Sequence, residues 1–249
     1  NKVKNIIGVM SGKGGVGKTT VTANIAACLA KSGNRVLCFD ADLSLGNLDI
    51  LMDKRDEAVF DIQDVFLKRC DFEKTLLEHE EISGLFFLPA PSMPQVEIGE
   101  LRSFIIRLAE QRAREYDFVF IDCPAGLGGV SDMITAETVL LLVATPDEAS
   151  VRGAEKVAEI AYSSGARARL IVNKVRPDLI KRELAPNIDD IIDDTAVRLI
   201  GVIPEDNEII KVSARNSLLC LSKNKRSLIA FENIAARLCG ADVPLAKIK

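Results

Sequence analysis

Tryptophan is absent from the 249-residue chain, and the one histidine, His79, lies in an acidic stretch where we expect it on the surface. None of the six cysteines belongs to a Cys-x-x-Cys pair, which argues against a zinc site, a redox motif and an iron–sulfur carrier. No apolar run reaches the roughly 18 residues that a membrane-spanning helix needs, and no signal-peptide pattern is present. These absences favour a protein of the reducing cytoplasm.

An excess of positive charge is also absent. Lysine and arginine total 32 against 36 aspartate and glutamate, so the formal net charge is −4. This balance argues against a protein whose main task is to hold nucleic acid. The basic cluster 223–226 therefore indicates a solvated surface turn rather than a DNA-binding patch.

Short apolar runs alternate with amphipathic, helix-length segments along the whole chain. Runs that are apolar without alternation suit strands buried on both faces. The pattern predicts an α/β fold of one domain over residues 1–249, in which helices flank a doubly wound, mostly parallel sheet, with a short tail at 240–249. The clearest helices are Val21–Lys31 and Ile98–Arg114. The predicted strands are Ile6–Met10, Val36–Phe39, Leu85–Leu88, Phe118–Ile121, Val139–Ala144, Leu170–Val172 and Leu199–Ile203.

A glycine-rich loop joins the first predicted strand to the first predicted helix. Its spacing, Gly12-x4-Gly17-Lys18-Thr19, is that of a phosphate-binding loop (P-loop). Glycines let consecutive backbone N–H groups face an anion, and the helix N-terminus adds unpaired donors. Lys18 supplies a positive charge to the phosphates and Thr19 a hydroxyl to Mg²⁺. The loop also holds Lys13, which the basic motif does not require.

Carboxylates follow two of the other strands, at the sheet edge where ligands bind in such folds. Asp40 and Asp42 come after the second strand, and Asp122 ends the run Phe118–Ile121 in the Walker B pattern. Beside a P-loop, these side chains are candidates for holding metal-bound water and for placing a nucleophilic water.

Two later strand ends are candidates for contact with a nucleotide base. The amide of Asn173 is suited to an adenine edge, and the turn that begins at Pro204 and includes Asp206 can close over a base. Turn-forming roles account for the same residues equally well.

Taken together, these residues resemble the MinD/ParA family of deviant Walker A ATPases. Lys13 within the loop carries the resemblance, which extends from Ile6 to about Leu245. Further matching stretches are Asn47-Leu48-Asp49, Asp122-Cys123-Pro124-Ala125-Gly126, Ser150-Val151-Arg152, Arg176-Pro177 and Gly201-Val202-Ile203-Pro204-Glu205-Asp206.

The resemblance implies an ATPase that uses ATP and Mg²⁺ and forms an ATP-dependent homodimer. Lys13 would reach the partner's nucleotide, Lys18 would bind phosphate within its own site, and Asp42 would orient the attacking water. Thr19 would ligate Mg²⁺ directly, while Asp40 and Asp122 would act through water. The implied ATP-binding set is Gly12, Lys13, Gly14, Gly15, Val16, Gly17, Lys18, Thr19, Thr20, Asn173, Pro204 and Asp206.

Three departures limit what the resemblance implies about partners. Gly46 replaces an arginine of the family. Gly153 replaces an aspartate that contacts regulators, so binding of a MinC- or MinE-like partner does not carry over at that position. The amphipathic stretch Ser227–Cys239 indicates core packing rather than a membrane-binding helix. We expect contact with the inner face of the cell membrane only if such a helix is missing from this sequence.

Within the family, three roles stay open: placement of the division septum, control of flagellar number, and DNA partition. The acidic total makes nucleic acid the least expected partner.

Overall fold

The structure is a computed structural model, and it describes residues 6–43, 48, 59–128, 130–224 and 226–246. Within these ranges, eight strands form one sheet in the order β3-β4-β2-β5-β1-β6-β7-β8. The β3–β4 pair is antiparallel and the other pairs are parallel. The strands are β1 Ile6–Ser11, β2 Val36–Asp40, β3 Leu77–Glu78, β4 Leu85–Leu88, β5 Phe118–Ala125, β6 Thr138–Ala144, β7 Arg167–Val175 and β8 Leu199–Pro204.

Helices cover both faces of the sheet. They are α1 Lys18–Lys31, α2 Ile62–Phe66, α3 Phe72–Thr75, α4 Ile98–Arg112, α5 Glu148–Ser163, α6 Pro177–Lys181, α7 Ile188–Thr195, α8 Asn207–Ser213 and α9 Leu228–Leu238. Short 3₁₀ turns occur at Ser131–Met133 and Leu219–Leu221. None of the helices in the described ranges is long and apolar enough to cross a bilayer.

All seven predicted strands are present, and the doubly wound α/β fold is confirmed. Strand β3 was not predicted, because it has two residues and is not buried. The second predicted helix ends at Arg112 rather than Arg114, because the chain turns there to bury Tyr116 edge-on against Phe86.

His79 is buried, so the surface position expected for it is wrong. Only 6% of the residue is exposed, and its Nδ1 accepts a hydrogen bond from the Glu81 N–H. The backbone N–H of His79 donates to the Leu85 carbonyl. The fold-back of β3 onto β4 therefore encloses the ring, and the acidic neighbours in the sequence do not reveal this.

Helix α9 packs against the sheet, as the amphipathic pattern of Ser227–Cys239 predicted. It buries Leu228, Phe231 and Ile234 in the core that it shares with α1. A Cβ atom added to Gly201 in β8 would lie 2.2 Å from the Ile234 Cγ1 atom, so glycine is required for this close approach.

Parallel pairing brings the carboxyl ends of β1, β2 and β5 side by side at the centre of the sheet. Asp40 at the end of β2 stands opposite Asp122 in β5, in direct register. The loop that leaves β1 begins beside the end of β5, where the Gly126 N–H donates to the Ser11 carbonyl. The sheet therefore places the P-loop and both carboxylates at one edge.

Candidate nucleotide-binding site

The loop between β1 and α1 leaves its backbone donors available to an anion. Among the described residues, the N–H groups of 13–17 donate to no protein acceptor. Gly15 and Gly17 have φ angles of 78° and 89°, which favour glycine. The α1 N-terminus has neither a side-chain cap nor an acidic residue in its first turn. Four other helices are capped by side chains, those of Asp61, Asp147, Asn187 and Asp206.

Three side chains of α1 form hydrogen bonds with the Asp122 carboxylate. Its Oδ1 atom lies 2.8 Å from Lys18 Nζ and accepts a hydrogen bond from Thr22 Oγ1 at 3.0 Å. Its Oδ2 atom accepts from Thr19 Oγ1 at 2.6 Å. Burial lowers the pKa of Lys18, but the attraction and hydrogen bond to Asp122, together with the nearby Cys123 and Asp40, outweigh burial and leave that pKa raised, so the amine stays charged.

Asp40 is the second buried carboxylate of the site. It accepts hydrogen bonds from the backbone N–H groups of Asp42 at 2.9 Å and Leu48 at 3.1 Å. Burial and the adjacent Asp122 carboxylate raise the pKa of Asp40 to about 7. Asp42 itself is half-buried. Gly46 and most of the stretch 47–49, in which only Leu48 is described, lie outside the described residues.

The donor set fits a magnesium nucleotide. Carboxylate, hydroxyl and phosphate oxygens are the ligands that Mg²⁺ takes in proteins. Thr19, Asp40 and Asp122 meet at the inner side of the loop, next to the unpaired N–H groups that suit phosphate. One buried cation, Lys18, is available to neutralise phosphate charge.

Lys13 lies on the other side of the loop from Lys18. Its Nζ atom is 3.0 Å from Asp147 Oδ1, and both side chains are about half exposed, at 48% and 43%. Asp147 also accepts from Thr145 Oγ1 at 2.6 Å and from the Ser150 N–H at 3.0 Å. Burial raises the pKa of Asp147, but these hydrogen bonds and Lys13 outweigh it and leave the pKa lowered. Lys13 is therefore held by an ionised carboxylate, away from its own phosphate site.

A cleft of about 290 Å³ adjoins the start of α1 and contains the residues predicted to contact the base. Gly17, Thr20, Asn173, Pro204 and Asp206 line it, together with apolar side chains such as that of Ile209. Asn173 Nδ2 donates to the Val16 carbonyl at 2.7 Å. Its amide oxygen is the acceptor that a base amino group requires.

Asp206 is both a wall of this cleft and a structural residue. It caps α8 by accepting from the Glu208 N–H at 2.8 Å, and it accepts a hydrogen bond from the Ser227 hydroxyl. The Ser227 and Glu208 bonds lower the pKa of Asp206. The cleft is therefore tied to the first turn of α9.

Gly12 and Gly153 pack directly against each other. A Cβ atom added to Gly12 would lie 2.0 Å from the Gly153 carbonyl carbon. A Cβ atom on Gly153 would lie 2.9 Å from the backbone of Gly12. Helix α5 thus supports the P-loop through a contact between two residues that lack side chains. This contact explains why glycine occupies position 153 in this chain.

Three residues of the site were not predicted from the sequence. Thr22 follows Lys18 by four positions, which puts both side chains on one face of the helix. That spacing could have predicted that both contact Asp122. Asp147 carries no local signal, because its partner Lys13 is 134 residues away. Lys174 follows the predicted Asn173, and its amine donates to the Gly15 carbonyl at 2.7 Å.

Comparison with known proteins agrees with this geometry. Residues 7–219 match the CobQ/CobB/MinD/ParA nucleotide binding domain. The septum site-determining protein MinD of Synechocystis is 36% identical, over 97% of this chain and 92% of that protein.

Solved structures show the same similarity. The MinC:MinD cell division protein complex of Aquifex aeolicus has a TM-score of 0.87 and 31% identity, covering 98% of this chain and all of that one. MinD of Pyrococcus horikoshii, solved with Mg-ADP, has a TM-score of 0.82 and 26% identity, covering 94% and 95%. The site has a P-loop with unpaired donors and two carboxylates beside it, and the matches agree with it. The chain therefore belongs to the MinD/ParA family of nucleotide-binding proteins.

Proposed function

We propose that this protein is an ATP-binding and ATP-hydrolysing switch that dimerises with ATP and acts in placing the division septum. The observation that carries the proposal is the separation of two lysines within one loop. Lys18 is buried against Asp122 on the inner side, and Lys13 is exposed beside Asp147 on the outer side. A phosphate site that serves one nucleotide needs only the first.

Phosphate binding requires an exchange of partners at Lys18. In the structure described here its charge is neutralised by Asp122 at 2.8 Å. Nucleotide phosphates would attract Lys18 and the loop N–H groups, and the Asp122 carboxylate would then become available to the metal site. Mg²⁺ would supply charge neutralisation to the phosphates; Thr19 would hold it directly, and Asp40 and Asp122 would hold it through water.

Hydrolysis in such a site depends on positioning and charge rather than on a covalent step. Asp42 is the residue that we assign to orienting the attacking water. It lies two positions after Asp40, and its N–H is bonded to the Asp40 carboxylate. Asn173, with Pro204 and Asp206, forms the wall that recognises adenine.

The position of Lys13 supports dimerisation. Its amine is half exposed and would meet a second copy there, and contact with the partner's ATP requires that it leave Asp147. The deviant Walker A sequence therefore becomes a sensor of the partner's nucleotide, and the dimer forms only when a γ-phosphate is present.

The division role is supported by the relatives, which at 31–37% identity bear the name septum site-determining protein MinD or putative MinD. A regulator of the MinC kind is the proposed partner, because the Aquifex complex pairs MinC with a chain of this fold. The flagellar alternative rests on the sequence 44–47, in which Gly46 replaces an arginine, and this segment lies outside the described residues. Structural likeness to partition proteins, at 21% identity and below, shows the fold alone. We place the protein in the cytoplasm, with any membrane contact through a separate amphipathic segment.

Sedimentation of Asp42→Ala tests the proposal. With ATP and Mg²⁺ this variant binds but does not hydrolyse, so we expect a stable dimer, and a monomer with ADP and Mg²⁺. Lys13→Ala in the same background should stay monomeric while it still binds ATP. Lys156→Ala, an exposed lysine on α5, is the matched control and should dimerise. A monomer with every nucleotide contradicts the proposal, and an ATP-dependent, submicromolar shift of DNA at physiological salt would favour partition instead.

A further inference from the structure

The tip of β7 has an irregular backbone next to the P-loop. The register between β7 and β8 shifts between Val172 and Val175. Within this shift Lys174 has a φ angle of 55°, in the left-handed region that side chains with a Cβ atom rarely adopt. A lysine at such a position has to be held there by its contacts, because glycine or asparagine would be less strained.

Two consecutive side chains of this tip hold two consecutive carbonyls of the loop. Asn173 Nδ2 donates to Val16 O and Lys174 Nζ donates to Gly15 O, both at 2.7 Å. A hydrogen bond from a charged amine is stronger than one between neutral groups. Lys174 is in the left-handed region and reaches the loop next to Asn173.

Lys174 also borders both clefts of the site. It lines the base cleft with Asn173, and it lines the outer cleft of about 350 Å³ that contains Lys13 and Asp147. No other cation of the described residues borders both of these clefts. The hydrogen bond from Lys174 to the Gly15 carbonyl therefore lies between the base cleft, the phosphate loop and the proposed dimer face.

We propose that Lys174 is a positioning residue that sets the shape of the phosphate loop by holding the Gly15 carbonyl outward. The inference rests on the proposed nucleotide function and deepens it. A carbonyl that turned inward would face the phosphates with a negative dipole and would withdraw an N–H group from them. Because Asn173 holds the next carbonyl, recognition of the base and the shape of the loop are linked through one strand tip.

Lys174→Met and Lys174→Gly together separate this role from a role in folding. Methionine keeps an unbranched side chain and the strained backbone angle but removes the donor. Glycine removes the donor and the strain, so the apo protein should melt at the wild-type temperature or above it. We expect both variants to lose about tenfold in affinity for Mg-ATP, measured by calorimetry. Lys174→Arg, which keeps a charged donor, should retain most of the affinity.

Inorganic tripolyphosphate is the second probe, because it has no base. If Lys174 acts through the loop, both variants lose affinity for Mg-tripolyphosphate to the same extent as for Mg-ATP. Lys74→Met, an exposed lysine on α3, is the control and should bind both ligands as the wild type does. Loss of ATP affinity with unchanged tripolyphosphate affinity would make Lys174 a base contact and overturn the proposal, as would wild-type affinity in both variants. Failure of the wild type to bind Mg-ATP would instead refute the proposed function.

Discussion

Gly12 of the P-loop and Gly153 of helix α5 touch backbone to backbone, so neither position has space for a Cβ atom. We predict that Gly153→Ala displaces the loop, because its Cβ atom would lie 2.9 Å from a backbone that cannot yield without moving the phosphate-binding N–H groups. The expected cost is about 1–3 kcal/mol, as for other overpacked sites. Nucleotide affinity should fall with it, measured by calorimetry with Mg-ADP.

Gly99→Ala is the matched control for this substitution. A Cβ atom at Gly99 meets no heavy atom within 4 Å, so stability should be unchanged or slightly higher. Wild-type affinity and melting temperature in Gly153→Ala would show that α5 does not support the loop.

Asp122→Asn is predicted to destabilise the nucleotide-free protein, because it removes the carboxylate that directly contacts the buried charge of Lys18. Lys18 and Asp122 are 6% and 1% exposed at the side chain. Breaking such a pair costs about 3–5 kcal/mol, measurable as a lower urea midpoint. ADP without Mg²⁺ offers Lys18 a new anionic partner, so it should stabilise the variant more than the wild type.

Glu115→Gln gives the corresponding control, since it removes the half-exposed partner of Arg112 in an ion pair at the surface. It should change the free energy of unfolding by less than about 1 kcal/mol. An equal gain from ADP in Asp122→Asn and in the wild type would contradict the exchange of partners proposed for Lys18.

Asp147→Asn is predicted to favour the dimer. Asparagine keeps a cap for α5 but loses the charge that holds Lys13 at 3.0 Å. Dimerisation should then need about two- to fivefold less ATP, the range expected for losing one exposed ion pair. Since the folded-state pKa of Asp147 is lowered, the tether persists at neutral pH and is lost as the pH falls through that lowered pKa.

Sedimentation over a series of ATP concentrations measures this shift. Glu148→Gln, the neighbouring residue, contacts Arg152 rather than Lys13 and should leave the ATP requirement unchanged. Weaker dimerisation in Asp147→Asn would mean that the Asp147 carboxylate stabilises the dimer. This result would contradict the role of Asp147 in holding Lys13 within its own chain.

Gly201→Ala is predicted to destabilise the sheet without altering nucleotide contacts, because its Cβ atom would overlap Ile234 at 2.2 Å. Adding Ile234→Ala creates space for it, so the double variant should lose less stability than the sum of the two single variants. Additive losses in urea unfolding would contradict this contact.

Local sequence signals were sufficient for most of the fold and for the inner half of the site. Apolar runs located seven strands, and the loop spacing with Asp40, Asp42 and Asp122 located the phosphate edge. These signals work because a buried strand and a P-loop each have a pattern within about ten residues of chain.

The outer half of the site has no such pattern. The tether of Lys13 to Asp147 joins positions 134 apart, and the partner of Gly12 is a glycine in a helix, where the sequence shows only a weak helix former. Long-range packing decided these positions, and a single sequence does not record it. His79 was misplaced for a different reason: its partners Glu81 and Leu85 are near in sequence, but its acidic neighbours say nothing about the strand that folds over it.

The uncapped start of α1 has a kinetic consequence. The protein and ATP are both net negative, and they should repel each other at a distance. Yet the entrance to the loop combines the positive end of a helix with the amine of Lys174, and the charge of Lys13 is available there once it leaves Asp147. A local field of this kind captures anions once they come within about 10 Å at moderate salt. The ATP association rate should therefore fall as ionic strength rises, against the direction that the net charges alone would give.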